Sequence, residues 1–302
     1  MTETKKGIIY AAFAYIIWGV LPIYWNLVND IGPFEILAHR IIWSTVFMLL
    51  LLLLTKQLSM FKHATVKLFQ HKKMLFAIIA AGYIITVNWG TFIWAVNNHH
   101  VLQASLGYYI NPLMSIFLAF VFLGERFSKA QWIAILLAFI GVVYMTFQVG
   151  EFPYVSIILA TSFALYGLIK KVVDIDAFSS ITIECIVTMP AALLYIFYLS
   201  QTDAITFGMN VSSGWLLLSG AVTAIPLILF SAGARKIPLS LTGFIQYIGP
   251  TIMFFIGIFL LNEHFDIDQL ITFIFIWAGI ILYSYTKYVE ISRNRKKLIK
   301  DI

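Results

Sequence analysis

Tyr109-Ile-Asn-Pro112 runs into Gly124-Glu125-Arg126-Phe127, and Tyr247-Ile-Gly-Pro250 runs into Asn262-Glu263-His264-Phe265. A single shift of 138 residues superposes the two stretches and also pairs Gln131 with Gln269 and Gly141 with Gly279. Where the first copy has Asn97-Asn98 the second has Arg235-Lys236, and where the first has Arg126 and Lys129 the second has His264 and Ile267. Loops of equivalent position thus carry opposite charge character. In a membrane protein this predicts two copies inserted upside down relative to each other, an organisation characteristic of secondary transporters.

The composition agrees with that setting. Hydrophobic residues make up 61% of the chain and charged residues 11%, with a mean hydropathy of +0.91; a soluble domain carries about 25% charged residues. Apolar runs long enough to cross a bilayer fall at approximately 7–27, 34–54, 74–96, 102–123, 130–148, 153–170, 178–199, 213–234, 239–261 and 268–287. The expected fold is therefore all-α, with ten transmembrane helices arranged as two inverted five-helix repeats. The first repeat is expected at 1–148, the second at 149–288, and a basic tail at 289–302. Residues 8–25 read as a retained first helix, because no small-residue cleavage site follows and further spans do.

Charge distribution orients the chain. Assigning alternate loops to one side collects 19 of the 20 basic residues there, Lys170 and Lys171 included, and leaves Arg40 as the exception. The positive-inside rule then places both termini in the cytoplasm. The net charge of +6 reflects this bias and does not indicate a nucleic-acid partner. The Thr55–Lys73 segment, with five lysines among apolar residues, reads either as a solvated cytoplasmic loop or as an amphipathic helix on the inner leaflet. The single Cys185 excludes an intrachain disulfide.

Polar groups within the spans are the candidates for function. Pro112 and Pro250 lie near the middle of the fourth and ninth runs. Matched helix breaks of this kind mark a transporter site near the midplane, with a plain packing kink as the alternative. Glu35, His39 and Trp43 share one helix face, and beside them Arg40 sits one to two turns inside the second span. A cation there is costly unless it faces a cavity or partner, or snorkels to the headgroups. Aligning Phe34 with Phe178 puts Glu184 at Arg40's position in the other copy. Glu184 is expected as a gate charge, a proton site or a satisfied structural carboxylate. Asn88 and Trp89 in the third span, Tyr108, Tyr109 and Asn111 in the fourth, and Gln246 and Tyr247 in the ninth complete the expected substrate-binding set. Amides and phenols can orient a ligand, and ring faces suit its apolar or cationic parts.

Enzyme signatures are missing: there is no His-Glu-x-x-His pair, G-x-S-x-G elbow or P-loop. His99-His100 lacks further ligands at metal spacing, so neither a metal nor a cofactor is expected. The partners expected are a small-molecule substrate, the lipid bilayer and a coupling proton or ion; the oligomeric state is not readable. The rival to a transporter is a non-transporting membrane protein, such as an intramembrane enzyme or its assembly partner.

Trp18-Gly-Val-Leu-Pro-Ile-Tyr-Trp25, Glu35-Ile-Leu-Ala-His-Arg40, Asn88-Trp-Gly-Thr-Phe-Ile-Trp-Ala-Val-Asn-Asn98, Gly107-Tyr-Tyr-Ile-Asn-Pro112, Gly124-Glu-Arg126, Gln246-Tyr-Ile-Gly-Pro250 and Asn262-Glu263 together carry a wider resemblance. Over nearly the whole chain it resembles the EamA family of the drug/metabolite transporter superfamily, and within it the RarD-type branch. The resemblance implies ten helices in two inverted five-helix units around a central cavity. It also implies export or exchange of small metabolites or drugs across the bacterial plasma membrane. Asn262 departs from the family's Gly-Glu after the ninth span, and the seventh span has no arginine matching Arg40.

Overall fold

The computed structural model describes residues 2–98, 100–149, 152–202, 204–208, 210–260 and 267–300. Residues 262–265 and His99, singled out above, lie outside the described residues. Twelve α-helices follow one another: α1 Glu3–Trp25, α2 Pro33–Leu54, α3 Leu58–Gln70, α4 Lys72–Asn97, α5 Val101–Phe122, α6 Lys129–Val149, α7 Tyr154–Val172, α8 Ala177–Gln201, α9 Val211–Ala234, α10 Leu239–Gln246, α11 Ile248–Phe259 and α12 Ile267–Lys300. No strand occurs among the described residues. Nine segments there are long and apolar enough to cross a membrane, α10 and α11 counting as one, and α12 adds a shorter apolar stretch at Leu270–Thr286. Their outer surfaces stay apolar: Phe13, Phe76, Phe147 and Leu194 are all exposed. An outer surface of this kind is stable only in lipid, where backbone bonds must close within each helix.

Local chemistry explains where several helices begin. Pro33 opens α2, where a missing N–H is harmless. Asp176 accepts a bond from the Ser179 N–H at 2.8 Å to start α8, and Asn210 accepts one from the Ser213 N–H at 2.7 Å to start α9. Gly124 ends the α5 turn at φ +64, a conformation without penalty for glycine. Beside it the Glu125 carboxylate accepts the Leu239 N–H at 2.7 Å and the Ser240 hydroxyl, capping α10 from another part of the chain.

The two matched prolines behave differently. Pro250 cannot donate to the carbonyl of Gln246, and the helix divides there, α10 ending at Gln246 and α11 beginning at Ile248. α5 runs unbroken through Pro112; the expected break is absent because one lost bond within a long, packed helix is sustained by its neighbours. Similarly, Thr55–Lys73 is not a loop throughout. It forms α3, whose Ala64 and Leu68 pack against Ile78, Val173 and Ile175. The segment expected as a separate tail continues as α12 to Lys300.

Helix pairing has a regular form. α5 packs on α7 and α1 on α11; α2 packs on α9 and α4 on α8; α1 packs on α9 and α4 on α7; α6 packs on α12. At the last contact a Cβ on Gly141 would stand 2.9 Å from the Thr272 carbonyl oxygen, and one on Gly279 would stand 2.7 Å from that of Ala134. Glycine at both positions lets the two backbones approach closely, as membrane helix interfaces require. The Tyr247 hydroxyl donates to the Tyr109 carbonyl at 3.2 Å, joining two residues 138 apart.

Candidate functional site

A cavity of about 360 Å³ lies where α1, α2, α4, α5, α7, α10 and α11 converge. Its walls are largely aromatic. Trp18 meets Tyr15 at 5.3 Å and Phe163 at 5.6 Å between ring centroids, and Phe92 meets Tyr108 at 5.7 Å. The α10–α11 division contributes Gln246, Gly249 and Pro250 to the wall. The Tyr15 hydroxyl donates to Gln246 Oε1 at 3.4 Å.

Arg40 is the one charged side chain on this surface among the described residues. Only 9% of it is exposed. Its guanidinium carbon lies 4.5 Å from the centre of the Trp25 ring and 4.3 Å from that of Trp89. Its Nε donates to the Thr223 hydroxyl at 3.2 Å. Cation–π contacts contribute about 0.5–2 kcal/mol each, while an ion brought out of water costs several kcal/mol. No carboxylate among the described residues pairs with Arg40 to make up the difference. Its guanidinium is therefore held in place but electrically uncompensated.

Of the other expected residues, Asn88, Trp89, Tyr108, Asn111, Gln246 and Pro250 line the same cavity. Asn88 is anchored, its amide donating to the Leu159 carbonyl at 2.9 Å and the Ser162 hydroxyl at 2.8 Å. Asn111 is not: its Oδ1 is buried without a hydrogen-bond partner. Leaving an acceptor in that state costs about 1–3 kcal/mol.

The remaining ones point elsewhere. Glu35 accepts the backbone N–H of Thr206 at 3.0 and 3.1 Å and that of Phe207 at 2.9 Å, fastening the α8–α9 connection. His39 stacks on Phe207 at 4.5 Å. Tyr109 turns to the core against Phe273, and Tyr247 is fully buried in the same cluster. Pro112 lies off the cavity, its carbonyl against Gly243. Glu184 borders a separate void of about 20 Å³, room for roughly one water. It accepts from Lys170, from the Tyr166 hydroxyl at 3.1 Å and from the Ser180 hydroxyl at 2.9 Å.

Lys170 thus corrects the reading of it as a loop cation: it is 2% exposed and paired with Glu184 across α7 and α8. Its position at the end of an apolar run, with Ser180 and Glu184 spaced i, i+4, was the available signal. Trp25 and Thr223, which hold Arg40, were also missed. Trp25 could be found only as an aromatic near a span end, and Thr223 carries no distinguishing pattern.

Apolar helices around a largely aromatic cavity, with Arg40 as the one cation on its wall among the described residues, define a polytopic membrane protein. Residues 5–147 and 153–285 each match the EamA-like transporter family. The chain belongs to that family, and is a multi-pass bacterial membrane protein of the transporter class. It is 41% identical to Protein RarD of Escherichia coli (strain K12), over 93% of this chain and 94% of that one. It is 42% identical to the uncharacterized transporter YojE of Bacillus subtilis (strain 168), over 94% of this chain and 95% of that one. A solved crystal structure shares the fold at a TM-score of 0.72 and 13% identity, covering 93% of this chain and 98% of that one.

Proposed function

We propose that the chain is a secondary transporter that exports small metabolites or drugs by alternating access around the 360 Å³ cavity. The observation that carries this reading is Arg40, a buried and uncompensated cation on a cavity walled by helices from both family-matched segments. Arg40, Asn88, Trp89, Tyr108, Asn111 and Gln246 contact the substrate. Glu35, His39, Tyr109 and Tyr247 position the surrounding helices, and Glu184 with Lys170 is the candidate for a coupling proton or ion.

The inverted arrangement has support in the packing. Under the 138-residue shift Ala134 corresponds to Thr272 and Gly141 to Gly279, and the contacts are Gly141 with Thr272 and Gly279 with Ala134. Exchange of the two halves returns the same contacts, as a two-fold axis requires. Sequence position rises on α6 as it falls on α12, so the equivalent helices are antiparallel and the axis crosses them. Exchange also converts α5–α7 into α11–α1, and α2–α9 into α8–α4. Ten spans then divide into units at 1–148 and 149–288, α12 supplying the tenth, with both termini on the basic, cytoplasmic side.

Reconstitution in liposomes tests this reading. Saturable counterflow of at least one small solute is expected, weakened in Arg40→Ala. A broad panel of anions, cations and neutral solutes giving no flux under any ion gradient would overturn it.

A further inference from the structure

We infer that the cavity selects a small organic anion: one carboxylate on a flat ring that also carries an uncharged N–H or O–H donor. This rests on the cavity being the transport site and adds the class of solute. Four observations lead to it.

The first is charge. Among the described residues the cavity wall holds one cation, Arg40, and no carboxylate. Glu35, one turn back on α2, is occupied by the Thr206 and Phe207 N–H groups. Glu184 is occupied by Lys170. An incoming monoanion completes a neutral pair, whereas a cation or a zwitterion's ammonium meets no countercharge and loses its hydration.

The second is geometry. Thr223 takes Nε, and Trp25 and Trp89 fix the guanidinium carbon. The two terminal nitrogens have no protein acceptor among the described residues. A guanidinium held this way offers the paired donors that match a planar carboxylate.

The third is wall chemistry. Trp18, Phe92, Tyr108 and Phe163 surround the rest of the space, and ring faces stack best on a flat body. The fourth is Asn111, a residue of the same cavity wall whose Oδ1 is buried without a hydrogen-bond partner. A donor on the ligand supplies the partner that the described residues do not. An uncharged donor suits it, because no carboxylate among the described residues lines the cavity.

The experiment is a titration of the full-length protein in lipid nanodiscs, followed by tryptophan fluorescence, with a matched series of probes. The probes are 4-hydroxybenzoate, benzoate, 4-hydroxybenzamide, tyramine and tyrosine. Expected is tightest binding of 4-hydroxybenzoate, with the amide, amine and zwitterion each weaker by about tenfold or more, the scale of one lost charged hydrogen bond. Benzoate should be weaker by about threefold to tenfold, and Asn111→Leu should abolish that gap. Arg40→Gln should bind the anion and the amide equally. Should that variant fail to fold, the wild-type ranking decides alone. An amide, amine or zwitterion bound as tightly as 4-hydroxybenzoate overturns the assignment, as does an anion preference retained in Arg40→Gln. Counterflow of a cation or neutral solute, with no binding of the anions, overturns the anion class while leaving transport intact.

Discussion

Gly220→Ala tests whether the packing of α9 on α2 is what aims Arg40. A Cβ on Gly220 would stand 2.2 Å from the carbonyl oxygen of Trp43 and 2.7 Å from the Ser44 nitrogen. Both are backbone atoms of α2, so no side-chain rotation relieves the clash. Restoring ordinary contact in a close-packed interior requires the helices to part by about 1 Å. Two bonds cross this interface, Ser44 Oγ to the Gly220 carbonyl and Arg40 Nε to Thr223, each at 3.2 Å. Parting of that size takes both beyond hydrogen-bond range. Overpacking costs about 1–3 kcal/mol and the bond from a charged donor about 1.5–3 kcal/mol. Partial relaxation leaves an expected loss of about 2–4 kcal/mol. Thermal melting of the purified variant reads the first effect, and 4-hydroxybenzoate binding, weakened about tenfold, reads the second. Gly214→Ala is the control: it lies on the same helix with nothing within 4 Å of its Cβ. It should melt at or slightly above the wild-type temperature, since alanine is the better helix former. Equal melting and equal binding in the two variants would refute the reasoning.

Glu35→Gln should lower the melting temperature by weakening its bonds to Thr206 and Phe207, a loss of about 1–3 kcal/mol, while leaving the preference for anions unchanged. A shift in that preference would show that Glu35 acts on substrate. Lys170→Met and Glu184→Leu should each destabilise by about 3–5 kcal/mol, because each strands a buried charge, and the double variant should recover most of the loss. Additive losses in a melting-temperature cycle would argue against the pair. In a Cys185→Ala background, a cysteine replacing Lys5 should react with an impermeant maleimide only in inside-out vesicles. Labelling from the outer face would reverse the orientation proposed from charge.

Much of this architecture was readable because it is written in pattern. The 138-residue repeat, the apolar run lengths and the place of Arg40 within a span all depend on spacing and residue type. What escaped depends on partners that spacing does not specify. Tyr108 and Tyr109 are adjacent on α5, yet one lines the cavity and the other packs on Phe273. Neighbouring helical residues point about 100° apart, and only the packing of α7 and α12 decides which face meets which surface. Glu35 looked available for substrate until the α8–α9 connection brought it the N–H groups of Thr206 and Phe207. Lys170 could have snorkelled outward, but Glu184 and Ser180 on α8 draw it inward. Pro112 and Pro250 share a motif, yet only the second coincides with a divided helix.

Alternating access at the cavity is the central claim, and thiol accessibility measures it directly. Met253 lines the cavity on α11 and is only partly buried, so Met253→Cys in the Cys185→Ala background places a small reporter there. The account predicts that an impermeant thiol reagent modifies this cysteine in both right-side-out and inside-out vesicles, and that saturating 4-hydroxybenzoate slows both reactions. Modification from a single face under every condition would contradict it.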